Sequence, residues 1–291
     1  MLYIFTPTYN RKQLLEKLFN SLLAQTIYDF NWLIVDDGST DGTHQLIEGW
    51  KKKSPFAIKY IFKENGGKHT AFNAALDLCD KYLNVCVDSD DTCESDFVET
   101  IMKNHTYYHS VKNIIAYVYP NSYGKNEFEV DEVAVPIKVN SWRVSKEIKG
   151  LKECIRVFKP YVLEGFRFTI YQNEKFQPET VLWSRIARVG DALYFKKSLV
   201  KGNYLSGGMT DLRFKNILSN PKGYYLSQIE SYKFLDYKDN KNYIEKFKLL
   251  INIVSLNVAL NKSLLYNCPN KLLGILCIPI GYIRGKKMKL R

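Results

Sequence analysis

Hydrophobic residues in the first third of the chain follow two alternating patterns. Short runs made mainly of apolar residues occupy residues 2–5, 32–35, 58–62 and 83–87. Between them lie longer stretches in which apolar side chains recur every three or four residues, as from Leu14 to Leu23. Continuous runs separated by amphipathic stretches predict parallel strands joined by helices that cover both faces of the sheet. We therefore expect a doubly wound α/β fold.

The pattern is less regular in the rest of the chain. Short apolar or alternating runs predict further strands, at residues 114–119, 130–139 and 192–195. Apolar spacing of three and four predicts helices, at residues 151–158, 179–189 and over most of 224–291. The chain is thus expected to add a mostly helical C-terminal part to the α/β part.

The composition is that of a folded protein, because 46% of the residues are hydrophobic and 25% are charged. The net charge of +12 indicates a polyanionic partner, such as nucleic acid, anionic lipid or a phosphorylated substrate. The six cysteines form no C-x-x-C pair, and the start of the chain lacks the features of a secretory signal, so we expect reduced thiols in a cytoplasmic protein. No apolar run reaches the ~20 residues of a membrane-spanning helix.

Polar clusters follow the predicted strands, where the carboxyl ends of parallel strands form ligand sites. The fourth strand is followed by Asp88, Ser89, Asp90 and Asp91. Carboxylates this close together repel one another, and a divalent cation relieves that repulsion. Oxygen ligands favour Mg²⁺ or Mn²⁺, with a diphosphate completing the coordination. The competing interpretation is a solvated acidic turn that caps the next helix.

The clusters after the first two strands can hold a nucleoside. Residues 7–11 offer backbone groups, the ring of Tyr9 and the cation of Arg11, and Asn10 is expected to cap the following helix. Residues 36–39 offer two carboxylates that can accept hydrogen bonds from a base or a ribose. Taken alone, each cluster is equally explained as a turn or a capped helix start.

The cluster after the third strand, at residues 65–69, combines two glycines with Lys68. Glycine permits close approach of the backbone to a ligand, and a lysine at a helix N-terminus can meet a phosphate. Asn73 lies further along the same predicted helix. This cluster is the expected contact for the phosphates of a nucleotide.

The order and spacing of these clusters resemble the family 2 glycosyltransferases of the GT-A fold. The matching segments lie within residues 6–91: Thr6-Pro7-Thr8-Tyr9-Asn10-Arg11, Gln25-Thr26, Val35-Asp36-Asp37-Gly38-Ser39-Thr40-Asp41, Asn65-Gly66-Gly67 with Asn73, and Val87-Asp88-Ser89-Asp90-Asp91. The resemblance implies a GT-A domain over residues 1–220, with a nucleotide-sugar half at 1–105 and an acceptor half at 106–220. Residues 221–291 would form a helical C-terminal extension.

The resemblance also implies an inverting, metal-dependent transfer from a nucleotide sugar, expected to be a UDP-sugar. The acceptor would be a hydroxyl of a glycan or a lipid-linked saccharide in bacterial surface-polysaccharide synthesis. Asp90, with Asp88 as its partner, would hold Mn²⁺ or Mg²⁺, and whether Asp91 shares the ion stays open. The implied donor-binding residues are Pro7, Thr8, Tyr9, Arg11, Asp37, Gly67, Lys68, Asn73, Asp88 and Ser89.

An inverting enzyme needs a carboxylate that deprotonates the acceptor hydroxyl. The segment 176–183 resembles the family's Pro-Glu sequence followed by a helix with a tryptophan, so Glu179 is the expected catalytic base. The Glu-Asp pair that is common at this point of the family is missing here, and a helix-capping role for Glu179 stays open. Glu174 and Asp191 are the alternative bases. The segment 204–210 is expected to be a flexible loop near the site.

The C-terminal residues combine an apolar stretch, 272–283, with a basic end, 284–291. This combination is typical of a segment that rests on a membrane surface, which would place the protein at the inner face of the cell membrane. A buried helix with a solvated basic end is the alternative.

Two other functions are compatible with parts of the sequence. A relative that binds the nucleotide sugar without transferring it would keep the same strand-end clusters. A nucleic-acid-binding protein is suggested by the net charge alone, and we expect no nucleic acid as a partner.

Overall fold

The computed structural model of the chain describes residues 1–123, 136–140, 147–149, 151, 153–202, 213–238 and 241–289. It divides into two compact units. The first comprises Met1–Arg167 and Val189–Tyr204, and the second comprises Phe168–Arg188 and Leu205–Arg291. The expected loop at 204–210, most of the expected strand at 130–139 and the last two residues of the basic tail lie outside the described residues.

The first four long strands are parallel neighbours in the order β3–β2–β1–β4. Their bounds are β1 (Leu2–Thr8), β2 (Phe30–Asp36), β3 (Ala57–Phe62) and β4 (Leu83–Cys86). The helices between and after them are α1 (Lys12–Leu23), α2 (Thr43–Lys51), α3 (Lys68–Cys79) and α4 (Phe97–Tyr108). The predicted alternation of apolar strands and amphipathic helices is confirmed.

Alternate residues of the strands contact helices on opposite faces of the sheet. Trp32 of β2 stacks near Phe19 of α1 and Trp50 of α2, and these three rings belong to one buried cluster. Phe5 of β1 points to the other face, where its ring meets that of Phe72 of α3 edge to face. Because side chains alternate along a strand, continuous apolar runs are what a sheet covered on both faces requires.

The remaining strands of the first unit extend the same sheet. Antiparallel β8 pairs with β4 and β6, and β6 is parallel to β9 and β10. Their bounds are β5 (Thr92–Cys93), β6 (Ile114–Tyr123), β7 (Ile137–Val139), β8 (Cys154–Phe158), β9 (Asp191–Tyr194) and β10 (Val200–Gly202). The sheet is thus mainly parallel around β1, and the strands predicted at 114–119 and 192–195 are confirmed.

The helix predicted over 151–158 is wrong, because Cys154–Phe158 forms strand β8. Leu151, Ile155 and Phe158 have helical spacing, and all three are buried. Ile155 and Val157 are also buried while Cys154 and Arg156 are partly exposed, which is the period of a strand. A short apolar run satisfies both patterns, and pairing with β4 and β6 selects the strand.

The described residues of the second unit are mainly helical, and residues 168–178 form an irregular segment before its first helix. The unit contains α5 (Thr180–Ile186), α6 (Arg213–Ser219), α7 (Pro221–Lys238), α8 (Tyr243–Ala259) and α9 (Lys271–Lys289). Leu250, Ile253 and Val254 of α8 lie at the centre of its apolar core. The predicted helical C-terminal part is therefore confirmed, and the helix expected at 179–189 is shorter than expected. None of the described helices is both long enough and apolar enough to cross a membrane.

Candidate functional site

The loops after β1 and β2 are linked by hydrogen bonds. The backbone N–H of Asn10 donates to Ser39 Oγ over 2.8 Å, and Asn10 Oδ1 accepts from the backbone N–H of Thr40 over 2.8 Å. Asp41 Oδ2 accepts from the backbone N–H of Lys12, the first residue of α1. Asn10 was expected to cap α1, but Arg11 holds that position and makes no side-chain capping bond. Asn10, at φ 50°, instead joins the two loops.

Three of the predicted donor-binding residues lie at the carboxyl end of β1. Pro7 and Thr8 are buried, whereas the ring of Tyr9 is 49% exposed. Thr8 Oγ1 has no hydrogen-bond partner within the described part of the chain. Buried hydroxyls are usually paired, so an unpaired one at the end of β1 marks Thr8 as a candidate ligand contact.

Asp36 and Asp37 are buried at the end of β2 and have different partners. Asp36 accepts from the backbone N–H of Ser39 over 2.7 Å and from the hydroxyl of Tyr60 over 2.8 Å. These two bonds hold the turn that follows β2. Asp36 thus has a structural role in shaping the site.

Asp37 binds backbone N–H groups within residues 65–67, which form the glycine loop before α3. Its Oδ1 accepts from Lys63 Nζ over 2.6 Å and from the backbone N–H of Gly66 over 3.0 Å. Its Oδ2 accepts from the backbone N–H of Gly67 over 2.7 Å. A carboxylate has about four acceptor positions, so Asp37 can accept a further bond from a ligand.

The glycine loop needs its glycines. Gly67 has φ 93°, which favours glycine. A Cβ on Gly66 would come within 2.7 Å of Thr70 Oγ1 and 3.2 Å of Lys63 Nζ. The loop therefore has a fixed backbone at the N-terminus of α3, where Lys68 is the first helical residue. Asn73 lies one and a half turns further along the same helix and is partly buried.

Two cations bind the acidic cluster that follows β4. Lys68 Nζ lies 2.8 Å from Asp88 Oδ1 and 2.9 Å from Asp88 Oδ2. Arg11 Nη1 lies 3.0 Å from Asp90 Oδ2 and 3.5 Å from the hydroxyl of Ser89. The structure thus joins the clusters after β1, β3 and β4 into one site, as the order of the strands predicts.

The acidic residues have opposite electrostatic environments. Burial alone would raise the pKa of Asp88, but Lys68 and Arg11 hold it below its ordinary value. Burial, followed by repulsion from Asp88 and Asp90, raises the pKa of Asp91 to about 8. Asp88 is therefore held in its ionised form by the two cations, whereas burial and the neighbouring carboxylates favour the protonated form of Asp91.

The donor set of the acidic cluster fits a divalent cation that is shared with a diphosphate. Asp88 and Asp90 supply hard oxygen ligands, but no group of three or more histidine, cysteine, aspartate or glutamate side chains in the described residues is arranged around a metal position. Mg²⁺ is commonly held by one or two carboxylates together with substrate phosphates. Two carboxylates beside Lys68 and Arg11 match that arrangement, since both cations can also contact phosphate oxygens.

Sequence reasoning missed Lys63 and Tyr60, which hold the two carboxylates after β2. Tyr60 lies on β3, and Lys63 directly follows that strand. The parallel pairing of β2 with β3 brings Asp36 opposite Phe62, so both residues are close to these carboxylates. A basic residue at the end of the strand next to an Asp-Asp pair is the signal that could have found Lys63.

The expected catalytic base belongs to the second unit. Glu179 is the N-cap residue of α5 and is partly exposed. The preceding Gln177 is buried, and its Nε2 donates to the carbonyl of Thr169 over 3.0 Å. Trp183 lies one turn into α5 and is partly buried.

Glu174, the first alternative base, is bound to the N-terminus of α7. Its Oε1 accepts from the backbone N–H of Lys222 and its Oε2 from that of Gly223, each over 2.9 Å. Asn220 Oδ1 in turn accepts from the backbone N–H groups of Lys175 and Phe176. These four hydrogen bonds join the segment before Glu179 to the start of α7, and they occupy both oxygens of Glu174.

Asp191, the second alternative, starts β9 in the first unit and is partly buried. It forms an ion pair with Lys138 over 3.2 Å. Its backbone N–H donates to the carbonyl of Asn113 over 2.8 Å. Asp191 therefore contacts the residues around β6 and β7, the strands that pair with β9.

Comparisons with known proteins bear on the family and the fold of this chain. Residues 3–173 match the model of the family described as glycosyl transferase family 2. A chondroitin synthase of Pasteurella multocida (strain Pm70) is 26% identical over 225 residues, which are 77% of this chain and 22% of that protein. The chain thus spans less than a quarter of the length of this relative.

Two solved structures show the same fold. S. aureus TarS 1–349 in complex with UDP-GlcNAc has a TM-score of 0.63 at 15% identity, over 99% of this chain and 90% of that one. A mannosyltransferase from Pyrobaculum calidifontis, in complex with GDP-Man and Mn²⁺, has a TM-score of 0.56 at 16% identity, over 99% and 86%. The fold of the α/β sheet is that of the GT-A glycosyltransferases. The chain belongs to glycosyl transferase family 2.

Proposed function

We propose that this chain transfers a sugar from a UDP-sugar to a hydroxyl group of a glycan or of a lipid-linked saccharide, with inversion at the anomeric carbon. The observation that carries the proposal is the joining of the strand-end clusters: Lys68 on Asp88, Arg11 on Asp90, and Asp37 on the glycine loop. The site therefore offers cations for a diphosphate beside carboxylates for a metal. The UDP-GlcNAc bound to TarS, which has the same fold, supports a UDP-sugar as the donor.

The nucleoside end of the donor is assigned to the loops after β1 and β2. Tyr9 has an exposed ring for stacking, and Thr8 has a buried hydroxyl available for a hydrogen bond. Asp37 has acceptor capacity left beyond its bonds to the chain. Pro7 and Gly67 shape the backbone on either side. The cations of Arg11 and Lys68 are assigned to the diphosphate, and Asp88 is assigned to face the ribose or the sugar. Asn73 and Ser89 complete the donor-binding residues.

Asp90 and Asp88 are the residues assigned to hold Mn²⁺ or Mg²⁺. A divalent cation there would neutralise negative charge on the leaving diphosphate. The Mn²⁺ bound to the mannosyltransferase of the same fold supports this assignment.

Glu179 is assigned as the base of the transfer. The acceptor oxygen attacks the anomeric carbon as the bond from that carbon to the diphosphate oxygen breaks. Glu179 takes the hydroxyl proton, and UDP leaves with the bonding electron pair. Glu174 is disfavoured in this role because both of its oxygens accept backbone hydrogen bonds.

The donor assignment is tested by calorimetric titration of UDP, UDP-GlcNAc and GDP-mannose, in Mn²⁺ and in EDTA. We expect UDP and UDP-GlcNAc to bind more tightly in Mn²⁺, and Asp90→Ala to remove that gain. Asp29→Ala, at an exposed position outside the site, is the matched control. If wild type and Asp90→Ala bind UDP equally well in both buffers, the metal assignment is wrong. If none of the three compounds binds, the donor proposal fails.

The transfer itself is tested by measuring UDP released from UDP-sugars with oligosaccharide and lipid-linked acceptors. Acceptor-dependent release supports a transferase. Tight UDP binding without release by any donor–acceptor pair would instead favour a relative that only binds the nucleotide sugar.

A further inference from the structure

Helix α9 has one face that is fixed against the second unit. The residues of this face are Gly274, Cys277, Gly281, Gly285 and Met288, and all are buried. A Cβ on Gly281 would lie 2.6 Å from Val254 Cγ1, and a Cβ on Gly285 would lie 2.5 Å from the carbonyl oxygen of Ser255. Such close packing against α8 leaves α9 little freedom to rotate, so the side that faces away from α8 is defined.

The opposite side of α9 is apolar although it faces solvent. Leu272 is 80% exposed, Leu276 65%, Ile280 57% and Ile283 60%. Their spacing of four, four and three residues aligns them in one stripe over three turns, and Ile275 lies beside it. An ordinary surface helix is polar on this side. A contiguous exposed apolar stripe indicates an interaction surface.

The last turns of the same helix are strongly basic. Arg284, Lys286 and Lys287 are exposed and follow directly on the apolar stripe. No aspartate or glutamate follows Glu245 in the sequence, so this end of the chain carries much of the net charge of +12. The basic residues after Glu245 are Lys246, Lys248, Lys262, Lys271, Arg284, Lys286, Lys287, Lys289 and Arg291.

We propose that the exposed side of α9 docks on the surface of a membrane that contains anionic lipids. The apolar stripe would enter the boundary between headgroups and acyl chains, and the basic turns would lie against lipid phosphates. An apolar stripe followed by clustered lysines is the pattern that favours such a surface. The charge complementarity selects an anionic bilayer over an uncharged partner. This proposal does not depend on the transferase activity.

The test is flotation of the purified chain with phosphatidylcholine vesicles, with and without phosphatidylglycerol. Binding is expected to need phosphatidylglycerol. Leu276→Gln with Ile283→Gln should weaken it by about tenfold per site, because each removes an inserted side chain. Lys286→Glu with Lys287→Glu should weaken it by at least about fivefold per site, since each basic residue near an anionic surface contributes roughly that factor.

Two matched controls make the test specific to α9. Leu78→Gln with Ile170→Gln changes two exposed apolar residues elsewhere, and Lys52→Glu with Lys53→Glu makes the same change in net charge elsewhere. Both should bind vesicles as wild type does. Added salt should abolish the effect of the charge reversals and leave that of the glutamines, because only the former is screened.

Three results would overturn the proposal. One is the absence of binding to phosphatidylglycerol vesicles. Another is an equal loss of binding in a control variant: in Lys52→Glu with Lys53→Glu it would mean attraction by net charge alone, and in Leu78→Gln with Ile170→Gln it would mean that the loss is not specific to α9. The third is that the α9 glutamine variants convert a dimer into a monomer in light scattering without changing vesicle binding, which would assign the stripe to a second copy of the chain. Circular dichroism of each variant confirms that it is folded.

Discussion

Two carboxylates, Glu174 and Glu179, precede α5. Replacing Glu174 by Gln tests whether Glu174 has a structural role while Glu179 is the base. The substitution keeps the shape of the side chain but replaces one acceptor oxygen by an amide group that cannot accept. One of the backbone N–H groups of Lys222 and Gly223, now bonded over 2.9 Å, would then face a donor. The negative charge at the N-terminus of α7 would also be lost.

The cost follows from these contacts. A hydrogen bond to a charged group contributes about 1.5–3 kcal/mol, and a charge at a helix N-terminus contributes about 0.3–1 kcal/mol. Glu174 is buried, so water cannot replace the lost bond. We expect Glu174→Gln to lower the free energy of unfolding of the second unit by roughly 2–4 kcal/mol.

The assay is urea denaturation followed by circular dichroism, together with hydrogen exchange of the α7 amides. Exchange at the first turn of α7 should accelerate, and the unfolding midpoint should fall. Glu164→Gln, at an exposed position, is the control and should leave both unchanged. If Glu174→Gln unfolds at the wild-type urea concentration while transfer is lost, Glu174 is the reacting base and the assignment of Glu179 is wrong.

Four further substitutions test other parts of the structure. Glu179→Gln should lower kcat by about 10²–10⁴-fold and leave UDP affinity unchanged, as measured by steady-state kinetics and calorimetry, whereas an unchanged kcat would exclude Glu179 as the base. Asp37→Ala should remove UDP binding and lower the free energy of unfolding by roughly 3–5 kcal/mol, because three donors lose their acceptor; UDP binding at wild-type strength would contradict its role. Gly285→Ala should lower the free energy of unfolding by about 1–3 kcal/mol, because its Cβ would meet the Ser255 carbonyl oxygen at 2.5 Å. Gly49→Ala, where a Cβ meets nothing within 4 Å, should raise it by about 0.5–1 kcal/mol, and equal effects of the two alanines in denaturant melts would refute the packing argument.

The parallel core of the sheet could be predicted because its signals are local. Continuous apolar runs specify β1 to β4, and the polar residues that follow them meet at one edge of the sheet for purely topological reasons. Strand β8 could not be predicted, since Cys154–Phe158 satisfies a helical and a strand pattern at once. Its antiparallel neighbours β4 and β6, distant in sequence, decide between the two.

The roles of individual polar residues were harder to predict where their partners are far apart in sequence. Glu174 was an alternative base, but its oxygens accept hydrogen bonds from backbone N–H groups that lie 48 and 49 residues away in the sequence. Asn10 satisfied the local rule for a helix cap but bonds to Thr40 instead. Short-range rules identify which residues can make a bond, and the fold decides which bond is made.

The cross-links between the loops after β1 and β2 have a consequence for affinity. Asn10 bonds to Ser39 and Thr40, and Lys12 bonds to Asp41, so groups of the chain itself hold the two loops together. The conformational entropy of these loops is therefore lost when the chain folds and not when a ligand arrives. A nucleoside that contacts both loops would meet a preorganised surface, and cutting the links would slow its association and weaken its affinity without removing a single direct contact.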